Sequence, residues 1–126
     1  MKTKTINICG KAVELIYCNA SERGFETISG KSITNFDRTS LTDTISLALA
    51  CIVAAYARKG EEEPIADRDI LYEATPDETK ELIVATLNLQ AEWYGLPEKL
   101  AAKLKAEQEA AKENGEQDEE APDPNA

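Results

Sequence analysis

Ile45-Ser46-Leu47-Ala48-Leu49-Ala50-Cys51-Ile52-Val53-Ala54-Ala55-Tyr56-Ala57 is the one long apolar run in this 126-residue chain, and its reading decides the fold. Asp43 stands before it and Arg58-Lys59 closes it. As an α-helix the run is roughly 20 Å long at ~1.5 Å per residue, short of the ~30 Å hydrocarbon core of a bilayer. It predicts a core helix buried nearly all round, with the other elements wrapped about it. Leu41, Ile45, Ala48, Leu49, Ile52 and Tyr56 fall on one stripe at helical spacing, and Leu47, Cys51 and Ala54 on the opposite flank. Two sides therefore need cover, by the rest of the chain or by a partner.

The flanking residues set the limits of this helix. Ser40-Leu41-Thr42-Asp43 opens it with an N-capping serine, and Gly60 with the run Glu61-Glu62-Glu63 ends it. Upstream, Thr3–Ile8 and Ala12–Tyr17 are two β-rich segments joined through Cys9-Gly10-Lys11. Ile6 and Ile8 alternate with Thr5 and Asn7, and Val13, Leu15 and Tyr17 repeat the pattern, so a β-hairpin with one inward face is expected. Asn19 is read as the cap of a short helix, with Glu22 three residues on, and Gly30 as its stop. Phe25 and Ile28 share its inner face, while Gly24 weakens its middle by about 1 kcal/mol relative to alanine.

Downstream, Asp67–Ala74 reads as a short helical turn with Ile70 and Leu71 inward. Thr75-Pro76-Asp77-Glu78 is the clearest helix start in the chain: a capping threonine, proline in the first turn, and acids at the positive end of the dipole. Leu82, Ile83, Thr86, Leu87, Trp93 and Tyr94 follow at helical spacing, to an end near Gly95. A charged helical segment from Leu100 to about Lys112 comes next, and Glu116–Ala126 has the composition of a disordered acidic tail. The expected organisation is a single α+β domain over residues 1–100, a β-hairpin packed on a small helical bundle. Residues 101–126 are the charged extension.

The formal charge is −10, and half of it sits in the last 26 residues. A net acidic surface repels nucleic-acid backbones and anionic lipid, so neither is expected as a partner. The basic tip Lys2–Lys4 has no apolar segment of signal-peptide length behind it, which predicts a cytoplasmic protein. Three cysteines (Cys9, Cys18, Cys51) cannot all pair, no CxxC spacing occurs and there is no histidine, so neither a metal nor a cofactor is expected. The missing histidine also removes the commonest general acid/base, so an enzyme is not expected.

Several motifs have plainer readings. Ser29-Gly30-Lys31-Ser32 resembles the end of a phosphate-binding loop, but Phe25 stands where the first glycine is needed and a helix precedes it instead of a strand. Asn19-Ala20-Ser21 fits a glycosylation acceptor, and Asp67-Arg68-Asp69 two metal carboxylates; a helix start explains each. The binding readings are stronger. The flank Leu47, Cys51 and Ala54 is the candidate groove for a partner helix, with Trp93 and Tyr94 as aromatic anchors, since interfaces are enriched in such residues. The alternative is that the flank packs the hairpin and that Trp93 closes the core with Tyr94 at its edge. Being adjacent, Trp93 and Tyr94 are not expected to point the same way.

A hairpin with Gly10-Lys11 at its turn leads through Tyr17 to a helix carrying Phe25 and Ile28. Then follow Ser29-Gly30-Lys31-Ser32-Ile33, a loop, an Ala/Leu-rich helix, an acidic loop, a short helix and an amphipathic helix. Over residues 5–100 this order resembles the tail assembly chaperones of long-tailed bacteriophages and prophages. The resemblance implies a non-enzymatic factor that binds the tape-measure protein, keeping its apolar helices soluble while tail-tube protein polymerises round it. It also implies that the acidic segment Glu107–Ala126 lies where a frameshifted extension begins in some relatives. The alternative is a small cytosolic adaptor of bacterial or prophage origin that binds another protein, as a monomer or a homo-oligomer.

Overall fold

A computed structural model describes residues Lys2–Leu96, and the charged helical extension and acidic tail expected beyond residue 100 lie outside the described residues. The fold is α+β. Strands β1 (Thr3–Ile8) and β2 (Lys11–Ile16) form an antiparallel hairpin, followed by α1 (Asn19–Ser29), a 3-10 turn (Ile33–Asn35), α2 (Leu41–Lys59), α3 (Asp67–Tyr72) and α4 (Pro76–Trp93). Met1–Tyr94 form one compact unit.

The hairpin pairs Ile6 with Val13 and Ile8 with Lys11, which leaves a two-residue loop, Cys9-Gly10. Both loop residues have positive φ, +54° and +75°. That is the conformation of the tight turn whose twist matches the strands. Lys11, expected inside the loop, is instead the first residue of β2, and its ammonium donates to the Pro64 carbonyl at 3.0 Å. Glycine meets the positive φ without strain, whereas Cys9 does so at a cost of roughly 1–2 kcal/mol. The Cys9 N–H donates to the Glu78 carboxylate at 3.3 Å, so the turn is tied to the first turn of α4. The other oxygen of Glu78 accepts from the Thr75 N–H at 3.0 Å, and Thr75 Oγ1 accepts from the Glu78 N–H at 3.1 Å. One carboxylate thus caps α4 and holds the hairpin.

Alternation puts Ile6, Ile8, Val13 and Leu15 on the inner face, where all four are buried with Phe25, Leu47, Ile52 and Leu82. On the free edge of β2, the Glu14 N–H donates to Tyr56 Oη of α2 at 3.0 Å. Lys59 reaches the Glu14 carboxylate at 2.8 Å, so the end of α2 is pinned to the same edge.

Helix α2 runs six residues beyond the apolar stretch itself, to 19 residues or about 28 Å. Its length and mean hydropathy of 1.4 would suit a membrane span, but 61% of its most apolar window is buried inside this fold. Burial, not the short length expected from the sequence, identifies it as the core helix. Ser40 Oγ accepts from the Asp43 N–H at 3.2 Å, and Gly60 ends the helix at φ +73°.

The start of α1 differs from expectation by one residue. Cys18 is the cap, and buried Ser21 does the capping: its hydroxyl accepts from the Cys18 N–H at 3.2 Å and donates to the Ile16 carbonyl at 2.8 Å. Glu22 is thereby released from any cap and turns to Tyr17. Leu71, expected inward, is exposed, because a helix of six residues can bury only one side and Ile70 takes it.

The residues resembling a phosphate loop have structural roles. Gly30 ends α1 at φ +74°, Lys31 pairs with Asp43 at 2.6 Å, and Ser32 Oγ accepts from the Thr34 N–H at 3.3 Å. Asp43 is buried, and its carboxylate also accepts from the Asp37 N–H at 2.9 Å. The Lys31 ammonium and then this N–H hold its carboxyl below the usual carboxylate range. A depressed folded-state pKa stabilises the fold above the unfolded value of about 3.9 and loses that contribution as pH falls through the folded one. Urea midpoints should therefore fall below about pH 4, and the fall should be shallower in Asp43→Asn. Equal slopes in the two proteins would show that Asp43 does not carry the effect.

Candidate functional site

Seen along its length, α2 is covered on all sides but one. Ala48, Ile52 and Tyr56 are buried, and so are Leu47, Cys51 and Ala54. What remains open is the row Leu41, Ile45, Leu49 and Val53, spaced by four residues: Ile45 and Leu49 are half-buried, Leu41 and Val53 exposed. Residues four apart form one ridge on a helix surface, the geometry by which a second helix packs.

Ile45 and Leu49 pack partly against the core, and with Leu41 they form one wall of a groove of ≈ 820 Å³. The facing wall is the first half of α4, chiefly Ile83 and Val84, with Ile70 and Leu71 of α3 at one side and Ile28 of α1 also lining it. Leu41 is 63% exposed, Leu71 64%, Val84 47% and Ile28 46%, a concentration of large apolar side chains in contact with solvent. Singly such residues need no explanation, but here they gather around one concavity.

The groove has little chemistry of its own. Its polar lining is Thr42, Ser46, Thr79, Asp67 and Lys80. Among the described residues no cluster of three or more His, Cys, Asp or Glu is placed to hold a metal, and no buried side-chain polar atom lacks a partner.

The binding residues expected from the sequence lie elsewhere. Leu47 and Cys51 are fully buried and Ala54 is 8% exposed, because the hairpin, α1 and α4 close over that flank. That flank and the groove lined by Leu41, Ile45 and Leu49 are thus on different sides of α2. Burial pushes the Cys51 thiol up to about 12, so it acts as a small apolar side chain.

Trp93 and Tyr94 are about half exposed, yet both are engaged within the fold, and both turn to Tyr17. Their ring centroids lie 6.2 and 6.4 Å from that of Tyr17. Adjacency does not separate them, because α4 stops at Trp93 and Tyr94 is already its C-cap. The Tyr17 hydroxyl donates to Glu22 at 2.8 Å and accepts from Gln90 Nε2 at 3.2 Å, while the Tyr94 hydroxyl donates to the same Glu22 oxygen. The Glu22 hydrogen bond, followed by burial, pushes the Tyr94 phenol up to about 12, and burial above all raises Tyr17 further. These aromatics latch the end of α4 to α1 and the hairpin. Trp93 borders a separate cleft of ≈ 210 Å³ that shares no residue with the apolar groove.

Sequence reasoning misses the groove although its signal is present. At helical spacing Leu41, Ile45 and Leu49 join the core stripe with Ala48, Ile52 and Tyr56. A stripe that wide spans more of the helix than its neighbours cover, and its large side chains at spacing four are the uncovered part. No model of a known family, no curated protein and no solved structure matches this chain.

Proposed function

We propose that this protein is a non-enzymatic assembly factor that holds an apolar helix of a partner protein in the α2–α3–α4 groove. Of the partners that the resemblance to tail assembly chaperones implies, the tape-measure protein is the one such a groove suits, with tail-tube protein as a second ligand during tail assembly in the cytoplasm. The supporting observation is the ridge of exposed Leu41 and half-buried Ile45 and Leu49, which lines with Ile83 and Val84 a space of ≈ 820 Å³. Helix-in-groove recognition uses anchors at i, i+3, i+4 and i+7, and such a space is of the size that takes a few large side chains. The net charge of −10 keeps a complex with an aggregation-prone partner soluble.

The test is co-expression with a tape-measure protein of a long-tailed phage. The expected result is a soluble tape measure that co-purifies with the chain, and that is lost with Leu41→Ser/Val84→Ser, two changes at exposed positions. A tape measure that stays insoluble while the chain is soluble alone overturns the tail-chaperone reading and leaves that of an adaptor for another protein.

A further inference from the structure

Charge is unevenly distributed around the groove. Between Asp67 and Glu81, the segment that forms α3 and the first turns of α4, the sequence carries six carboxylates against two cations, Arg68 and Lys80. Two of the six serve the fold: Asp69 accepts from the Ala66 N–H at 2.8 Å, and Glu78 caps α4. The other four, Asp67, Glu73, Asp77 and Glu81, are exposed. Asp67 and Lys80 both line the groove directly, so the acidic excess lies in the residues around it. By helical spacing Asp77 and Glu81 follow Val84 round the outer face of α4, at the rim where a bound helix would meet solvent. The opposite wall is neutral, since between Thr44 and Ala57 helix α2 has no charged residue.

Resting on the groove reading above, we propose that the occupant is an amphipathic helix whose apolar stripe is flanked by Lys or Arg on the side that meets α3 and α4. An apolar floor supplies the contact area, and the acidic rim sets orientation and excludes helices with acidic flanks, the usual division of labour between core and rim of an interface. The same charges disfavour a second copy, which would bring its own acidic wall to the groove.

The test uses the full-length chain and two fluorescein-labelled synthetic helices of about 20 residues with an identical leucine stripe at i, i+4 and i+7, one flanked by Lys and the other by Glu. Fluorescence anisotropy at about 0.05 M salt should show the Lys helix binding about tenfold tighter, a preference largely lost near 0.5 M salt where screening shortens to a few ångströms. Asp77→Lys/Glu81→Lys should erase or reverse the preference without loss of helical content. Equal binding of the two helices, or a preference that survives both salt and charge reversal, overturns the charge selection and leaves the groove reading intact. Binding of neither helix overturns both. A solution mass of twice 13.8 kDa that returns to the monomer in Leu41→Ser gives the groove to a second copy and overturns the proposal.

Discussion

Leu47→Ala should cost about 3 kcal/mol of stability, while Leu41→Ala, six residues earlier on the same helix, should stay within about 0.5 kcal/mol of the parent. Leu47 is fully buried under the hairpin and the neighbouring helices, and Leu41 is 63% exposed. Truncating the first removes transfer free energy and leaves a cavity that the packed hairpin cannot fill; truncating the second removes methylenes that already face water. For a domain holding about 5–15 kcal/mol in total, the larger loss is a substantial share, corresponding to about 10–20 °C in the melting midpoint of a chain this short. Binding should split the opposite way. Leu41→Ala weakens the partner helix and leaves the fold alone, whereas Leu47→Ala affects binding only through the fraction that is unfolded. Urea titration and anisotropy on the same two variants read both halves. A stable Leu47→Ala protein that has lost its ligand would return the binding surface to the flank of Leu47, Cys51 and Ala54.

The distinction between those two leucines marks where the sequence stops being informative. Element limits are local matters, and local chemistry announces them: Ser40 and Gly60 bracket α2, Thr75-Pro76 opens α4, and Ile6, Ile8, Val13 and Leu15 alternate into the hairpin's inner face. Which side of a helix apolar all round is left bare is not local. It depends on where the hairpin, α1 and α4 come to rest, and those contacts join residues far apart in the chain. Glu78 on Cys9 and Tyr56 on Glu14 are examples. Side-chain size alone narrows the choice of open ridge, because Ala48, Ala50, Ala54 and Ala55 admit close neighbours while Leu41, Ile45, Leu49 and Val53 hold them off. Trp93 and Tyr94 show a related limit. Aromatic type suggests anchors for a partner, and nothing local reveals that Tyr17 and Glu22 await them 72 or more residues earlier.

Gly24 makes the same point in reverse, and substituting it should disturb the fold more than its place on a helix surface suggests. Read locally, glycine inside α1 is a weakness of about 1 kcal/mol that alanine would repair. In the fold a Cβ at this position would stand 3.0 Å from Ala50 Cβ and 3.6 Å from Ala50 Cα. Helices α1 and α2 therefore cross at close range, glycine against alanine, and the gain in propensity is opposed by overlap. Gly24→Ala should come out near neutral. Gly24→Leu has no such balance: it must push α1 off α2, for a loss of about 3 kcal/mol or more, toward the upper end of overpacking effects. Gly30→Ala is the control, since a Cβ there meets nothing within 4 Å and the cost is only that of a φ of +74°. Ala50→Gly should restore part of the loss in Gly24→Leu, because it clears the atom that the introduced side chain would strike, and the double-mutant cycle measures that coupling directly. Strict additivity of the two changes would mean that the helices do not meet at this point. The displacement also reaches the groove. Ile28 lies one turn beyond Gly24 on α1 and lines the groove, so Gly24→Leu should weaken the bound helix even where enough folded protein remains to bind it.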